Sequence, residues 1–350
     1  MRLLLAVISI AVLIALAGLL YQAVGSWLDR RRFPMPGRLI VAGAHRLHFN
    51  SQGSGLPPVI LEAGIAASSV SWEYVREGVA KFAEVLSYDR AGYGWSGPAT
   101  DGMTPERLVS DLHTALAGLG LSAPYVIVGH SFGGLLARLY ARIYPTEVAG
   151  LVLADPALAG EWRSPTRSRR AMLARGVRLS HRGAMLARFG IVRVGLALAA
   201  AGAQPLAKLV ARASSRQGGQ RTVERLIGEV RKLPPELLPV VRAHWSRPSA
   251  FSSMAQHLVM LPDLSAAVPA QPGELGGMPL IVISGAHLTP EQQAEQASVA
   301  RLSTAGRHIV AEGSGHWVHL DRPDLVVAAV REVLDTVRAS ESKEAKDRLC

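Results

Sequence analysis

From Arg38 onward, short apolar runs alternate with longer stretches in which apolar positions recur every three or four residues. The runs are "RLIVAG", "HRLHFNS", "PPVILEAG", "EVLSYDR", "PYVIVG", "LVLAD", "PLIVISG" and "RHIVAEG". Several are nearly unbroken Val, Ile and Leu, as expected of parallel strands covered on both faces. Helical periods lie in "TPERLVSDLHTALAGL", "PEQQAEQASVARL" and "PDLVVAAVREVLDTV". Strands and helices in this order predict an α/β fold around a mostly parallel sheet.

The alternation breaks between Pro156 and Met278, where a helical, Arg-rich, Pro-punctuated stretch takes over. The strand pattern resumes at "PLIVISG", so this stretch reads as an insertion within one domain. The expected parts are a membrane anchor over 1–28, a core over 38–155, a helical cap over 156–278, the rest of the core over 279–338, and a frayed polar tail over 339–350.

The opening segment is of another kind. Leu3 to Leu20 is 18 residues without a charge, just enough helix to cross a hydrocarbon core of about 30 Å. An uncleaved single-pass anchor is the leading expectation. A cleaved signal peptide, giving a secreted or periplasmic protein, and a buried helix are the alternatives. Arg30, Arg31, Arg32 and Arg38 follow the segment while only Arg2 and the amino terminus precede it, a bias that favours a body on the cytoplasmic face.

With 350 residues, 49% of them apolar, and a mean hydropathy of +0.20, the chain can bury a large core, which argues against disorder. The formal net charge is +11, and residues 156–278 hold 18 Lys and Arg against 6 Asp and Glu, so the basicity belongs to the insertion. Two readings stand: a solvated face, or contact with anionic lipid headgroups, each cation contributing about 1 kcal/mol. Nucleic acid is not an expected partner, because the cations are not interleaved with stacking aromatics. The lone Cys350 excludes an intrachain disulfide and a thiolate centre.

Gly129, His130, Ser131, Phe132 and Gly133 form G-x-S-x-G between a strand pattern and a helix pattern. That context suits a nucleophile elbow, in which small neighbours let the chain turn sharply and lift Ser131 Oγ above the sheet. The alternative is a turn with a capping serine. A nucleophilic serine needs a base later in the chain. His316, on the small-residue loop "EGSGH" after the last strand, is that candidate; His319 is its rival, and the His130 side chain is expected to point away. No metal or cofactor is called for. His45 and His48 read as an exposed pair without converging carboxylates, and "GYGWSG" is not a dinucleotide fingerprint.

Together "LEAG", "YDRAGYGWS", "GHSFGG", "YPTEVAGLVLADP" and "GSGHWVHLDRP", spread over roughly residues 38–337, resemble the α/β-hydrolase fold family, and specifically its capped, esterase- or lipase-like serine hydrolases. The resemblance implies an eight-stranded sheet with a helical cap after strand six, and hydrolysis of a small-molecule acyl ester through an acyl-enzyme. It further implies an oxyanion hole made by the backbone N–H groups of Ile65 and Phe132. Many relatives have His-Gly before the first of these, whereas this chain has Ala63-Gly64 and keeps only the glycine. Most relatives carry the triad acid after strand seven, where "GAHL" offers none. Asp155, at the end of strand six, is then the leading candidate and Glu291 the alternative. Gly64, Trp95 and Trp317, with Tyr93, are expected near the pocket, a position in which aromatics as often merely pack. Asp89 is expected to tie down its own loop. Serine at the elbow argues against the epoxide hydrolases and dehalogenases, which use Asp there. An acyltransferase or cofactor-free haloperoxidase on the same triad, or a non-catalytic binding protein, would share these features.

Overall fold

The computed structural model describes residues 1–202 and 230–347. Each of the eight apolar runs is a strand: β1 (Arg38–Ala42), β2 (His45–Gln52), β3 (Val59–Glu62), β4 (Val85–Asp89), β5 (Tyr125–His130), β6 (Val148–Ala154), β7 (Leu280–Gly285) and β8 (Gly306–Ala311). They form one sheet in the order β1-β2-β4-β3-β5-β6-β7-β8. Only β2 runs against its neighbours; β4, β3, β5, β6, β7 and β8 are mutually parallel.

Helices cover both faces because alternate side chains of the central strands are apolar on both. Ile127 of β5, Leu151 and Leu153 of β6 and Leu280 and Val282 of β7 share one core with Leu112 and Leu116 of a helix over Pro105–Leu119 and Leu135 and Leu139 of one over Phe132–Ile143. Val126, Val128, Val152, Ile281 and Ile283 face the opposite core. There they meet Val75 and Val79 of a helix over Glu73–Val79 and Val326, Val330 and Leu334 of the last helix. Burial of each such side chain stabilises the fold by about 1.5–3 kcal/mol.

Seven helices matter below. They are α1 (Arg2–Arg32), α2 (Phe132–Ile143), α3 (Arg167–Arg188), α4 (Ile191–Ala200), α5 (Leu238–Trp245), α6 (Pro248–Ala267) and α7 (Pro323–Asp347). Those between β6 and β7 occupy the stretch expected as a cap; its residues 203–229 lie outside the described ones. α7 continues to Asp347, through residues expected as a frayed tail, and Cys350 lies outside the described residues.

α1 contains the whole apolar run, and no part of its most apolar stretch is buried. That removes the buried-helix alternative and leaves an exposed helix of membrane-spanning length at the N-terminus.

Candidate active site

The elbow begins with the close approach of backbones. A Cβ on Gly129 would stand 2.6 Å from the carbonyl oxygen of Gly133, and one on Gly133 would stand 2.3 Å from that of Glu62. Neither position tolerates a side chain, so β5 turns into α2 in a single residue. That residue is Ser131, held at φ 55° and ψ −119°. Such backbone is strained for a non-glycine residue by roughly 1–3 kcal/mol. Hydrogen bonds hold it there: its N–H donates to the Ala154 carbonyl at 3.2 Å, and its own carbonyl accepts from Gly134 and Ala157 at 3.0 Å.

Ser131 Oγ lies 3.0 Å from His316 Nε2, and His316 Nδ1 lies 2.6 Å from Asp155 Oδ2. Three residues from three loops thus form one hydrogen-bonded chain. Asp155 is buried, sits at φ 44°, and accepts the Gly285 N–H on its other oxygen at 3.0 Å. The loop carrying His316 is held by Asp321, which accepts the Gly315 N–H at 2.9 Å and pairs with Lys232 at 2.6 Å. With Nδ1 protonated toward the carboxylate, Nε2 presents its lone pair to the serine hydroxyl, an arrangement that can deprotonate it.

Glu291 is not part of this chain. It is exposed in the first turn of the helix Pro290–Ala300, where a carboxylate complements the helix dipole. His319 is also apart: it is buried against Trp72, with ring centroids 4.5 Å apart, and neither ring nitrogen has a hydrogen-bond partner among the described residues. Burial pushes its pKa down to about 3.

The His130 side chain, expected to point away, packs against His316, with ring centroids 4.8 Å apart. Its Nε2–H donates to the His316 carbonyl at 2.9 Å, so the residue beside the serine positions the His316 loop. Burial, reinforced by His319 and His316, holds His130 neutral.

A second support was invisible in the motif. The buried Arg90 guanidinium donates to the carbonyls of Ala63 at 2.6 Å and Gly64 at 2.5 Å and pairs with the buried Glu62 carboxylate. In a trans peptide the C=O and N–H point oppositely, so a grip on the Gly64 carbonyl also orients the Ile65 N–H. The Phe132 N–H is the first of α2 and has no intrahelical acceptor. Burial pushes the Glu62 carboxyl up, opposed by Arg90 and by the Tyr88 hydroxyl, which donates to it.

The expected pocket aromatics make protein contacts. Trp95 packs edge-on against His244 and donates from Nε1 to the Phe33 carbonyl at 3.2 Å. Trp317 is buried beside His130, with ring centroids 5.5 Å apart. Gly64 packs on the elbow, where a Cβ would lie 2.9 Å from His130 Nδ1. Tyr93 OH faces His257 Nδ1 at 3.3 Å.

The exposed His45–His48 pair is a correction. Both are buried, because β2 is flanked by β1 and β4 and closed over by neighbouring loops. His45 Nδ1 pairs with Asp111 at 2.6 Å and His48 Nδ1 with Asp89 at 2.8 Å. Asp89 also accepts the N–H groups of Ser69 and Trp95. Burial alone would raise its pKa, but the bonds from His48 and the Ser69 N–H help lower it.

His287 follows β7 and brings Nε2 within 3.8 Å of Asp155 Oδ2. The ligand atoms of Asp155, His287 and His316 lie within 4.8 Å of one another. A cation bound to His316 Nδ1 there would displace the His316–Asp155 hydrogen bond.

The chain is similar to several known proteins. The sn-1-specific diacylglycerol lipase ABHD11 of Mus musculus is 26% identical over 283 residues, covering 80% of this chain and 81% of that protein. Bifunctional epoxide hydrolase 2 of Sus scrofa is 38% identical over 115 residues, a match spanning 32% of this chain but only 20% of that enzyme. An esterase of Thermogutta terrifontis shares the fold with a TM-score of 0.60 and 24% identity, covering 86% of this chain and 98% of its own. The family model of the alpha/beta hydrolase fold matches residues 57–323, and with its sheet order and elbow the chain belongs to the α/β-hydrolase fold family.

Proposed function

We propose that this chain is a membrane-anchored serine hydrolase that cleaves a carboxylic ester of a hydrophobic small molecule. One observation carries the reading: the unbroken chain from Ser131 Oγ through His316 to Asp155, at 3.0 and 2.6 Å. His316 Nε2 takes the hydroxyl proton as Ser131 attacks the ester carbonyl, and Asp155 stabilises the imidazolium. The tetrahedral oxyanion is received by the N–H groups of Ile65 and Phe132, each donor accounting for about 10²–10³ in rate. His316 then protonates the leaving alcohol, and the acyl-enzyme is hydrolysed by a water that the same imidazole deprotonates.

The lipase and esterase among the similar proteins agree with an ester bond. The exposed apolar α1 supports the anchor and, beside the helices between β6 and β7, a hydrophobic substrate.

Labelling of the purified full-length protein by a fluorophosphonate probe tests the reading. Wild type should label, Ser131→Ala should not, and Asp155→Asn should label slower by several orders of magnitude. A folded wild type that stays unlabelled would make this a binding protein on a hydrolase fold. Undiminished labelling of Asp155→Asn would take the acid role from Asp155.

A further inference from the structure

α1 is not a free stalk. It packs closely on the body at Gly18, where a Cβ would stand 2.6 Å from the Phe189 carbonyl oxygen; Tyr21 in turn closes on Gly190. One turn later Arg193 of α4 reaches back: its guanidinium pairs with Asp29 at 2.7 Å and donates to Gln22 Oε1 at 3.1 Å and Ser26 Oγ at 3.2 Å. Gln22 donates onward to the Ser246 carbonyl at 3.0 Å.

Gly18 lies near the end of the apolar stretch, which gives way to Tyr21 and Gln22 just after Leu20. If α1 spans a bilayer, as proposed above, the α3–α4 corner at Phe189 and Gly190 is held within a few ångströms of the hydrocarbon boundary, at 1.5 Å of rise per residue. The chain bends there by 89°. α4, "IVRVGLALAA", has Arg193 as its only charged residue, no buried residue, and exposed Ile191 and Val194. Ten residues are about half of what a span requires, so α4 alone is too short to cross a bilayer. α3, which leads into it, carries seven arginines and no acidic residue.

We propose that the α3–α4 corner is a second membrane contact, with α4 bedded in the interface beside α1 and the arginines nearest the corner, Arg182 and Arg188 in the last turns of α3, against anionic headgroups. This rests on the anchored reading of α1. Contacts relay the arrangement toward the site: Trp245, next to Ser246, donates from Nε1 to the Ala66 carbonyl at 3.1 Å, one residue beyond Ile65. The substrate this favours is an ester that resides in the bilayer.

The test uses the full chain with Cys350→Ser and a nitroxide at Val194→Cys, reconstituted into phosphatidylcholine vesicles with and without phosphatidylglycerol. A control label replaces exposed Arg307 on β8. The label at 194 should be shielded from an aqueous relaxation agent and open to oxygen, more strongly in the anionic vesicles. Accessibility equal to that at 307 would overturn the contact. Equal shielding in the two lipids would remove the arginines from it. In parallel, Val194→Asp should raise KM for a vesicle-borne long-chain ester about tenfold and leave hydrolysis of a soluble short-chain ester unchanged. Equal loss on both substrates would contradict an interfacial role, whereas a wild type inactive on both would sink the hydrolase reading and leave the spin-label result standing.

Discussion

Ser131 and Asp155 are two of the three described non-glycine residues with positive φ, at 55° and 44°. Strain is thus stored at the two side chains that His316 joins. Ser131→Gly should relieve it, raising the melting temperature in a thermal unfolding scan by an amount matching about 1 kcal/mol while abolishing turnover. A lower melting temperature would mean that the elbow is relaxed. In the proposed hydrolase Arg90 acts as a positioning residue, through the Gly64 turn. Arg90→Lys keeps the charge beside Glu62 but cannot fork across two carbonyls, so kcat for a soluble ester should fall about 10- to 100-fold with little change in KM. A rise in KM at constant kcat would place Arg90 in substrate binding instead.

At the scale of elements, the central strands β4, β3, β5, β6 and β7 were legible because a parallel strand covered on both faces must be apolar on both, and that constraint acts within six or seven residues. The histidines of β2 were not. A polar side chain on a strand is read as exposed unless its partner is known, and Asp111 is 66 residues from His45. The link between α1 and the rest was equally hidden, since nothing in a run of apolar residues reports that Arg193 will close on Asp29. Deleting residues 1–32 would strip Arg193 and the Ser246 carbonyl of these partners. Amide hydrogen exchange of residues 189–200 and 244–247 should then speed up, and kcat/KM on a soluble ester should drop several-fold although no residue of the proposed triad is removed. Unchanged exchange would show that α1 is only a tether.

Across the whole molecule, His130, His244, His257 and His319 are buried, and burial lowers the pKa of each, to about 3 for His244 and His319. The unfolded chain binds protons at these sites below about pH 6.5, while the folded chain refuses them. Stability is therefore complete above that pH and is lost as pH falls toward 3. Each histidine adds a slope of up to about 1.4 kcal/mol per pH unit. Asp89, with its lowered pKa, withdraws further stability below about pH 4. Tryptophan-monitored unfolding should give a midpoint that drops steeply between pH 7 and 5; a flat profile would mean that these imidazoles titrate freely in the fold.

The sequence alone carried whatever short-range physics dictates: strand and helix periods, the two glycines that a one-residue elbow demands, and an uncharged run long enough for a bilayer. Asp155 could be nominated but not separated from Glu291 by pattern, because a carboxylate reaches an imidazole 161 residues away only through the order in which strands pair. The Arg90 grip on the Gly64 turn, the His130 bond to the His316 loop and the seat of α4 beside α1 were likewise decided in three dimensions. Hydrogen bonds and ion pairs act over about 3 Å of space, and no local periodicity records which distant residues will be brought that close.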